Sequence, residues 1–354
     1  MLKKFIPIFL AAVLTATAAS ADSVTVLLYG EALECSVEPF ITEGTTFVPM
    51  RSIFEALGAE IEWDEETRTV TSQKDGVEIS ITIGSEQAYK NGEAYTLTAA
   101  PMITDGYTMV PLRFVSESFG CVVSWDGDTQ TVTIEENPLT NSTVGVIGDS
   151  ISYGTNYAGG YAKILSENNN LTAVNEAKGG ATITRNVKWS DDSQSYRPCI
   201  IDMLDALPEE LDYLIMQGGI NDFWCHVELG SLDGSLDDTT FAGALETLFK
   251  NAKEKYPDSK IGFVINHDPF TYDAESSYEP YYEMIKAACE KWDIPYLDLY
   301  ALNNTEVGVN VKDEEMCRLY FESEERPGGD GTHPNRLGYE TIYVQPITEW
   351  LQSL

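Results

Sequence analysis

Apolar runs of strand length in the second half of the chain each end in a short polar or glycine-containing block. Helix-like stretches separate these runs from about residue 143 to residue 354. Short apolar strands that alternate with helices predict a parallel sheet covered on both faces. Such sheets bind ligands beyond the carboxyl ends of their strands. The sequence therefore predicts an α/β domain whose functional groups gather at one edge of the sheet.

Five strands and four long helices are predicted in this domain. The strands cover residues 143–148, 171–175, 211–217, 260–266 and 294–299. The helices cover residues 157–167, 240–256, 280–292 and 334–354. Pro346 lies inside the last of these helices, where a proline predicts a kink or a break.

The first half of the chain contains an internal repeat. Residues 30–71 match residues 92–133 without a gap. Each copy predicts a short helix that begins with proline and ends at glycine, over residues 49–57 and 111–119. Two strands follow the helix in each copy. Because a solenoid needs at least three units, two copies predict one pseudo-symmetric α+β module.

The start of the chain has the pattern of an export signal. Lys3 and Lys4 precede an apolar run over residues 5–14, and residues 19–21 form a small-residue cleavage site. A membrane anchor is the disfavoured alternative, because the run is short for a bilayer. We expect a secreted or surface-associated protein with no transmembrane segment after cleavage.

The predicted organisation has four parts. They are a signal peptide over 1–21, a repeat domain over 22–135, a linker over 136–142 and the α/β domain over 143–354. The linker is polar and contains a proline, which is typical of a connection between domains.

Charge and cysteine usage exclude several functions. The formal net charge of −35 argues against nucleic acid and anionic membranes as partners. Six cysteines permit disulfides without demanding them, and none lies in a CxxC motif that would predict zinc. No metal and no cofactor is expected. Cys225 follows the third strand, where a small buried side chain is a better interpretation than a chemical role.

Ser150 and His333 are the candidate nucleophile and base. Ser150 follows the first strand through Gly148 and Asp149, where the chain turns off the sheet. Serine needs a neighbouring base before it can attack a carbonyl. Asp330 lies three residues before His333, so its carboxylate can orient the imidazole.

Two further blocks supply candidate oxyanion donors. Asn221 follows the third strand, and its side-chain amide can face a developing negative charge. Gly179 and Gly180 follow the second strand, and glycine lets a backbone amide approach a substrate closely. The predicted donors are the amides of Ser150 and Gly180 and the side chain of Asn221, with Gly179 left as the alternative to Gly180.

Other residues near these blocks compete for a role. His226 and His267 are alternative bases, but neither has an aspartate three residues before it. The polar stretch 224–239 predicts either a rim over the site or an ordinary surface loop, and the loop is favoured.

Residues 143–354 resemble the SGNH, or GDSL-type, hydrolase family. The resemblance rests on four blocks in family order: Gly148-Asp149-Ser150-Ile151, Asn175 to Thr182, Gly219-Ile220-Asn221-Asp222 and Asp330-Gly331-Thr332-His333-Pro334. Ile151 stands where many members have leucine. The resemblance implies a flavodoxin-like three-layer α/β/α sandwich with a five-stranded parallel sheet. It also implies a metal-free esterase that uses Ser150, Asp330 and His333.

Residues 24–135 resemble the copper amine oxidase N-terminal-like, or stalk, domain of secreted bacterial proteins. The shared pattern is VPxR, Glu, Gly, Trp-Asp and Thr-Val-Thr in each copy. The segment has no histidine, so copper binding is not expected. The resemblance implies a spacer or a module that contacts a cell wall or a polysaccharide.

Together these patterns predict a secreted serine esterase. The favoured substrate is an O-acetyl group on a polysaccharide or on peptidoglycan, because export and a wall-binding module point to glycans. A lipase-like or lysophospholipase-type esterase is the enzymatic alternative. A non-catalytic surface or glycan-binding protein is the alternative of another class.

Overall fold

The structure, a computed structural model, describes residues 24–190, 192–267, 277–305 and 313–354. The predicted signal peptide, residues 1–21, lies outside the described residues. The chain divides into two compact units, with the boundary between Glu136 and Asn137.

The N-terminal unit is built mainly from short strands. Its strands are β1 (Thr25–Leu28), β2 (Glu31–Ala32), β3 (Phe40–Thr42), β4 (Thr45–Pro49), β5 (Glu60–Asp64), β6 (Thr69–Lys74), β7 (Val77–Thr82), β8 (Gln87–Lys90), β9 (Glu93–Thr96), β10 (Met102–Thr104), β11 (Tyr107–Pro111), β12 (Cys121–Asp126) and β13 (Thr131–Glu136). They form sheets of order β12-β13-β1-β2, β10-β11-β4-β3 and β5-β6-β7-β8-β9. Most neighbours run antiparallel, whereas β1 and β13 are parallel.

A local twofold relates the two copies of the repeat. Strands β4 and β11 pair antiparallel with Val48 opposite Val110, and these two valines are equivalent positions of the repeat. Both side chains are fully buried. Each copy therefore completes the sheet of the other, which explains why the unit contains two copies.

Helices α1 (Met50–Ala56) and α2 (Leu112–Ser118) also occupy equivalent places in the two copies. Pro49 and Pro111 end the preceding strands and act as N-caps, so each helix begins one residue later than predicted. Each helix buries an apolar face that includes Ile53 or Val115, both fully enclosed. The faces meet the sheets in one apolar core.

The C-terminal unit contains the predicted five-stranded parallel sheet. Its strands are β14 (Thr143–Ile147), β15 (Thr172–Asn175), β16 (Tyr213–Gln217), β17 (Lys260–Ile265) and β18 (Tyr296–Asp298). The order is β15-β14-β16-β17-β18, and every neighbouring pair is parallel. From β14, the next strand, β15, is added on one side of the sheet, and β16 to β18 are added on the other side. The strand order therefore switches between β14 and β16, which is the point where such folds bind ligands.

Helices cover both faces of this sheet, as predicted. They are α3 (Ser150–Tyr153), α4 (Gly160–Asn169), α5 (Ile200–Met203), α6 (Ile220–Trp224), α7 (Phe241–Lys255), α8 (Glu279–Trp292), α9 (Leu299–Thr305), α10 (Glu314–Phe321), α11 (Arg336–Gly338) and α12 (Gln345–Ser353). Helices α5, α7 and α8 pack together, while α4 and α12 pack on a π-helical segment at Tyr339–Val344. The result is a three-layer α/β/α sandwich.

Apolar spacing explains these elements. In α7, Leu245, Leu248, Phe249 and Ala252 follow the i, i+3, i+4, i+7 spacing and are all fully buried. Every residue of β16 is buried, as expected for a central parallel strand.

The last predicted helix is interrupted near Pro346, as predicted. Pro346 has no N–H to donate to the preceding turn. The residues just before it, Tyr339–Val344, have π-type hydrogen bonding, and α12 continues beyond. Within the described part of the chain, none of the helices combines the length and apolar character that a membrane crossing requires.

Candidate active site

Ser150 lies at the carboxyl end of β14, where the chain leaves the sheet. Asp149 is the N-cap of α3, and its Oδ1 accepts the amide of Ile151 at 2.9 Å. Ser150 is therefore the first residue of a helix and is half-buried. Burial raises the pKa of Asp149 to about 6.

His333, with Asp330 beside it, lies next to Ser150, although 183 positions separate His333 from Ser150 in the sequence. The Nε2 atom of His333 lies 2.8 Å from the Oγ of Ser150. Its Nδ1 lies 2.7 Å from Oδ2 of Asp330. The other carboxylate oxygen, Oδ1, accepts the backbone amide of His333 at 2.8 Å. One carboxylate thus fixes both the backbone and the ring of the histidine.

Arg326 is a charged neighbour that the sequence analysis did not predict. Its Nη1 contacts Oδ2 of Asp330 and lies 2.6 Å from Nδ1 of His333. Burial, with the nearby Arg326 guanidinium, lowers the pKa of His333 to about 4. The imidazole is therefore neutral at pH 7 and can accept a proton.

A second histidine holds the turn that carries these groups. His267 is fully buried, its Nε2 lies 3.1 Å from the carbonyl of Gly331, and its Nδ1 lies 2.7 Å from the hydroxyl of Tyr343. A carbonyl can only accept, so Nε2 carries the proton and Nδ1 accepts from Tyr343. Burial lowers the pKa of His267 to about 4, which keeps it neutral. Asn156 donates to the carbonyl of His333 at 2.6 Å.

The predicted oxyanion donors lie at the ends of β14, β15 and β16. Gly180 has φ +73°, a conformation that favours glycine. Among the described residues, no acceptor contacts the amides of Ser150, Gly179 or Gly180. Asn221 donates one hydrogen of Nδ2 to the carbonyl of Ala181 at 2.9 Å, which orients its amide and leaves the second hydrogen available.

Asp222 fastens two of these blocks together. It is fully buried, and its two oxygens accept the amides of Ile183 and Thr184 at 3.0 and 2.9 Å. The amide of Lys178 donates to the carbonyl of Gly148 at 3.0 Å, which joins the glycine block to the serine turn. The three blocks are therefore one hydrogen-bonded frame.

An arginine and a tryptophan flank the glycine block. Arg197 donates to the carbonyl of Gly180 at 3.0 Å, and its guanidinium lies 4.5 Å from the ring centre of Trp189. A Cβ at position 180 would overlap the Trp189 ring. The ring is 47% exposed, so it presents an aromatic surface next to a candidate oxyanion donor.

The remaining candidates lie in other settings. His226 is exposed with φ +50°, and only its backbone amide is bonded, to Phe223, among the described residues. Residues 225–239 pack on the core through Val227, Leu229 and Leu232, as a surface loop does. All six cysteines lie in described residues and are unpaired. No described group of three or more His, Cys, Asp or Glu side chains is arranged to hold a metal ion.

Sequence reasoning missed Arg326, Trp189, Arg197 and the supporting role of His267. These residues lie in loops or at strand ends without a periodic pattern. Only the spacing of Arg326, four residues before Asp330, gave a local signal, since such a spacing permits an ion pair within a turn.

Two families match the chain. The copper amine oxidase N-terminal domain matches residues 27–134, which confirms the resemblance of the repeat. The GDSL-like lipase/acylhydrolase family matches residues 146–341, more than half of the chain. The chain therefore belongs to the GDSL-like lipase/acylhydrolase family. This membership supports an esterase or hydrolase function.

Individual relatives are distant. A protease inhibitor from Brevibacillus choshinensis is 29% identical over 136 residues, 38% of this chain and 41% of that protein. The chain thus spans less than half the length of this curated relative. A solved protein from Lactobacillus plantarum is 23% identical, covers 60% of this chain and 96% of its own, and gives a TM-score of 0.48. A protein described as a GDSL-like lipase from Bacteroides ovatus is 19% identical, with 61% and 100% covered and a TM-score of 0.41.

Proposed function

We propose that the chain is a secreted serine esterase in which Ser150, His333 and Asp330 form a catalytic triad. The observation that carries this proposal is the unbroken hydrogen-bond path from Ser150 Oγ through the His333 ring to Asp330, at 2.8 and 2.7 Å. Membership in an acylhydrolase family supports the same chemistry.

In the first half-reaction Ser150 Oγ attacks the ester carbonyl carbon, and its proton passes to Nε2 of His333. The carbonyl electron pair becomes an oxyanion. When this intermediate collapses, the alcohol oxygen leaves with the proton from His333, and an acyl-serine remains. Water then attacks the acyl group by the same route and releases the acid. Asp330 stabilises the imidazolium in both steps.

The oxyanion is held by the amides of Ser150 and Gly180 and by the Nδ2 of Asn221. Each donor is held in place by a neighbouring contact. Ser150 is fixed as the first residue of a helix, the Gly180 carbonyl accepts a hydrogen bond from Arg197, and the Asn221 amide donates to the Ala181 carbonyl. Such fixed donors need no reorganisation as charge develops, and removing one typically costs ~10²–10³ in rate.

The test is hydrolysis of p-nitrophenyl acetate. We expect Ser150→Ala to lower kcat by at least ~10³-fold, because the nucleophile is lost. Ser231→Ala is the matched control, since this exposed serine bonds only to Asp233 among the described side chains. Full turnover in Ser150→Ala, or no fluorophosphonate label on Ser150 in the wild type, would reject the triad.

For the substrate, we propose O-acetyl groups on a polysaccharide or on peptidoglycan. The export pattern at residues 1–21 supports a location outside the cell, and residues 22–135 would hold the enzyme on a wall or glycan. The exposed Trp189 ring beside Gly180 offers a flat surface on which a sugar can stack. The apolar residues of the loop at 225–239 pack on the core and do not form an apolar lid, which favours short acyl groups over long ones.

Acetate release separates this substrate from a lipid. We expect acetate from acetylated xylan or acetylated peptidoglycan, and no fatty acid from lysophospholipid. The reverse result would favour the lysophospholipase alternative while leaving the triad intact. Binding to glycans without turnover of any ester would favour the non-catalytic alternative.

A further inference from the structure

A cavity in the N-terminal unit has no part in the proposed hydrolysis. It has a volume of about 560 Å³ and lies between the β3–β4 turn, the chain after β9, the start of α2 and strand β12. This volume is within the range of sites that bind small molecules or parts of polymers. All of its lining residues belong to the repeat domain, so the cavity belongs to one compact unit.

Trp125 forms an open aromatic wall of the cavity. It lies on the same side of β12 as the buried Val123, because side chains two apart in a strand share a face. Its ring is nevertheless 40% exposed, where a core position would be covered. Leu112 and Phe114 add apolar surface. A large exposed ring in a concave site is typical of a surface that stacks on a flat ligand.

Polar groups complete the lining. The hydroxyls of Thr45 and Thr98 lie 2.9 Å apart. Arg113 donates through one nitrogen to Glu117 and to the carbonyl of Val123, both at 2.8 Å. A guanidinium and a carboxylate side by side offer donors and acceptors together, which suits a ligand whose hydroxyls do both.

The charge of the unit narrows the choice of ligand. Residues 24–136 contain 20 acidic and 5 basic side chains. A polyanion would be repelled, and a lipid chain would cover the Thr45, Arg113 and Glu117 groups without bonding to any of them. A sugar chain without charge presents C–H faces for Trp125 and hydroxyls for the polar groups.

We propose that this cavity binds an uncharged polysaccharide, with Trp125 stacked on one sugar ring and the Arg113–Glu117 pair bonded to its hydroxyls. The inference rests on the proposed glycan contact of residues 22–135 and assigns it a site. It is independent of the triad, because no residue of the C-terminal unit lines the cavity.

The internal repeat supplies a matched control. Trp63 is the equivalent of Trp125 in the first copy and is 43% exposed, but it does not line the cavity. Loss of either indole therefore removes a similar exposed surface, and only one loss alters the proposed site.

The experiment uses the full chain with Ser150→Ala, so that bound glycan is not altered during the measurement. Affinity electrophoresis in soluble xylan or mannan and co-sedimentation with cellulose report binding. We expect Trp125→Ala to raise the Kd about tenfold, or about 1.4 kcal/mol, and Trp63→Ala to leave it unchanged. Trp125→Phe should retain most of the affinity, and Arg113→Gln should weaken it.

Three outcomes overturn the proposal. The Ser150→Ala chain with both tryptophans present binds none of these glycans, Trp63→Ala lowers the affinity as much as Trp125→Ala, or Trp125→Ala keeps full affinity. Melting curves of both tryptophan variants exclude unfolding as the cause of a loss. Ester hydrolysis by the chain with Ser150 intact is measured separately. Binding without hydrolysis would reject the proposed esterase and keep the site, and hydrolysis without binding would do the reverse.

Discussion

The two units of this chain differ in what they bury. Among the described residues of the N-terminal unit, the buried polar side chains are hydroxyls, those of Thr45, Ser72, Ser116 and Ser118. The C-terminal unit also buries carboxylates, amides and an imidazole, among them Asp149, Asp222, Glu246, Asn266, Gln217 and His267. Burying such groups is costly unless they are paired, and most of them connect the loops around Ser150.

This difference separates a unit held by its sheets and apolar core from one in which buried polar groups also hold the loops of the candidate site. The repeat satisfies its backbone through sheets and fills its core with apolar side chains. The C-terminal unit uses Asp222 to fasten two loops and His267 to fasten a third. Ionisable groups with shifted pKa values are common at functional sites, and His333, His267 and Asp149 are three such groups in the region around Ser150.

After the loss of the nucleophile, the largest expected effect concerns the two adjacent glycines. Gly180→Ala should lower kcat by ~10²–10³-fold, because a side chain disfavours φ +73° and displaces the amide from the oxyanion. Gly179→Ala is the matched control: a Cβ there meets nothing within 4 Å, and its φ is not positive. The kcat of each variant is measured by steady-state kinetics on p-nitrophenyl acetate. A larger loss in Gly179→Ala would assign the donor to Gly179.

A smaller loss is expected for the buried histidine. His267→Ala should lower kcat about 10- to 100-fold, because the Gly331 carbonyl loses its donor and the turn that carries Asp330 and His333 shifts. His226→Ala, at the exposed histidine, should leave kcat unchanged. The kcat of Tyr343→Phe should lie between the kcat values of the two histidine variants. Equal kinetics for both histidine variants would show that the difference between the buried and exposed positions has no catalytic consequence.

The acid side of the pH profile tests Arg326. His333 accepts a proton only when neutral, and its pKa is about 4. We therefore expect kcat/KM to stay flat from neutral pH down to about pH 5, then to fall about tenfold per pH unit below the pKa.

Replacing Arg326 should move this acid limb to higher pH, because the neighbouring positive charge disfavours the imidazolium. The pH dependence of kcat/KM for Arg326→Ala is the measurement. Arg318→Ala removes an exposed arginine paired with Glu314 and should leave the limb in place. A limb that stays near pH 4 in Arg326→Ala would contradict the electrostatic role.

The smallest effect tests the symmetry of the repeat. Val48→Ala and Val110→Ala should each cost about 2 kcal/mol of unfolding free energy, because each empties the same kind of fully buried position. The two costs should agree within about 0.5 kcal/mol, as measured by urea unfolding of the full chain. Clearly unequal costs would show that the two copies have diverged in packing.

Much of the fold was predictable because burial leaves a pattern in the sequence. Strand β16 is buried on both faces and reads as a continuous apolar run, and α7 keeps a helical stripe. The short helices α3, α5 and α6 were not predicted, since four or five residues contain too few turns to show a period. The break at Pro346 was predictable from the missing N–H, but its π-helical form was not.

The candidate site likewise contains residues that the sequence predicts and residues that it does not. Ser150, Asp330 and His333 stand in local blocks with recognisable neighbours, and the structure brings them within hydrogen-bond distance. Their catalytic role remains a prediction. Arg197 and His267 reach the site from distant segments through contacts that only the folded chain defines. No local spacing encodes such contacts.

The pairing of Val48 with Val110 has a consequence for a shortened chain. A polypeptide with one copy of the repeat would leave the edge of β4 open, with unpaired amides and carbonyls. That edge already matches its own equivalent in antiparallel register. Two such half-modules would therefore associate through isologous strands, so the tandem chain is in effect a covalently linked dimer.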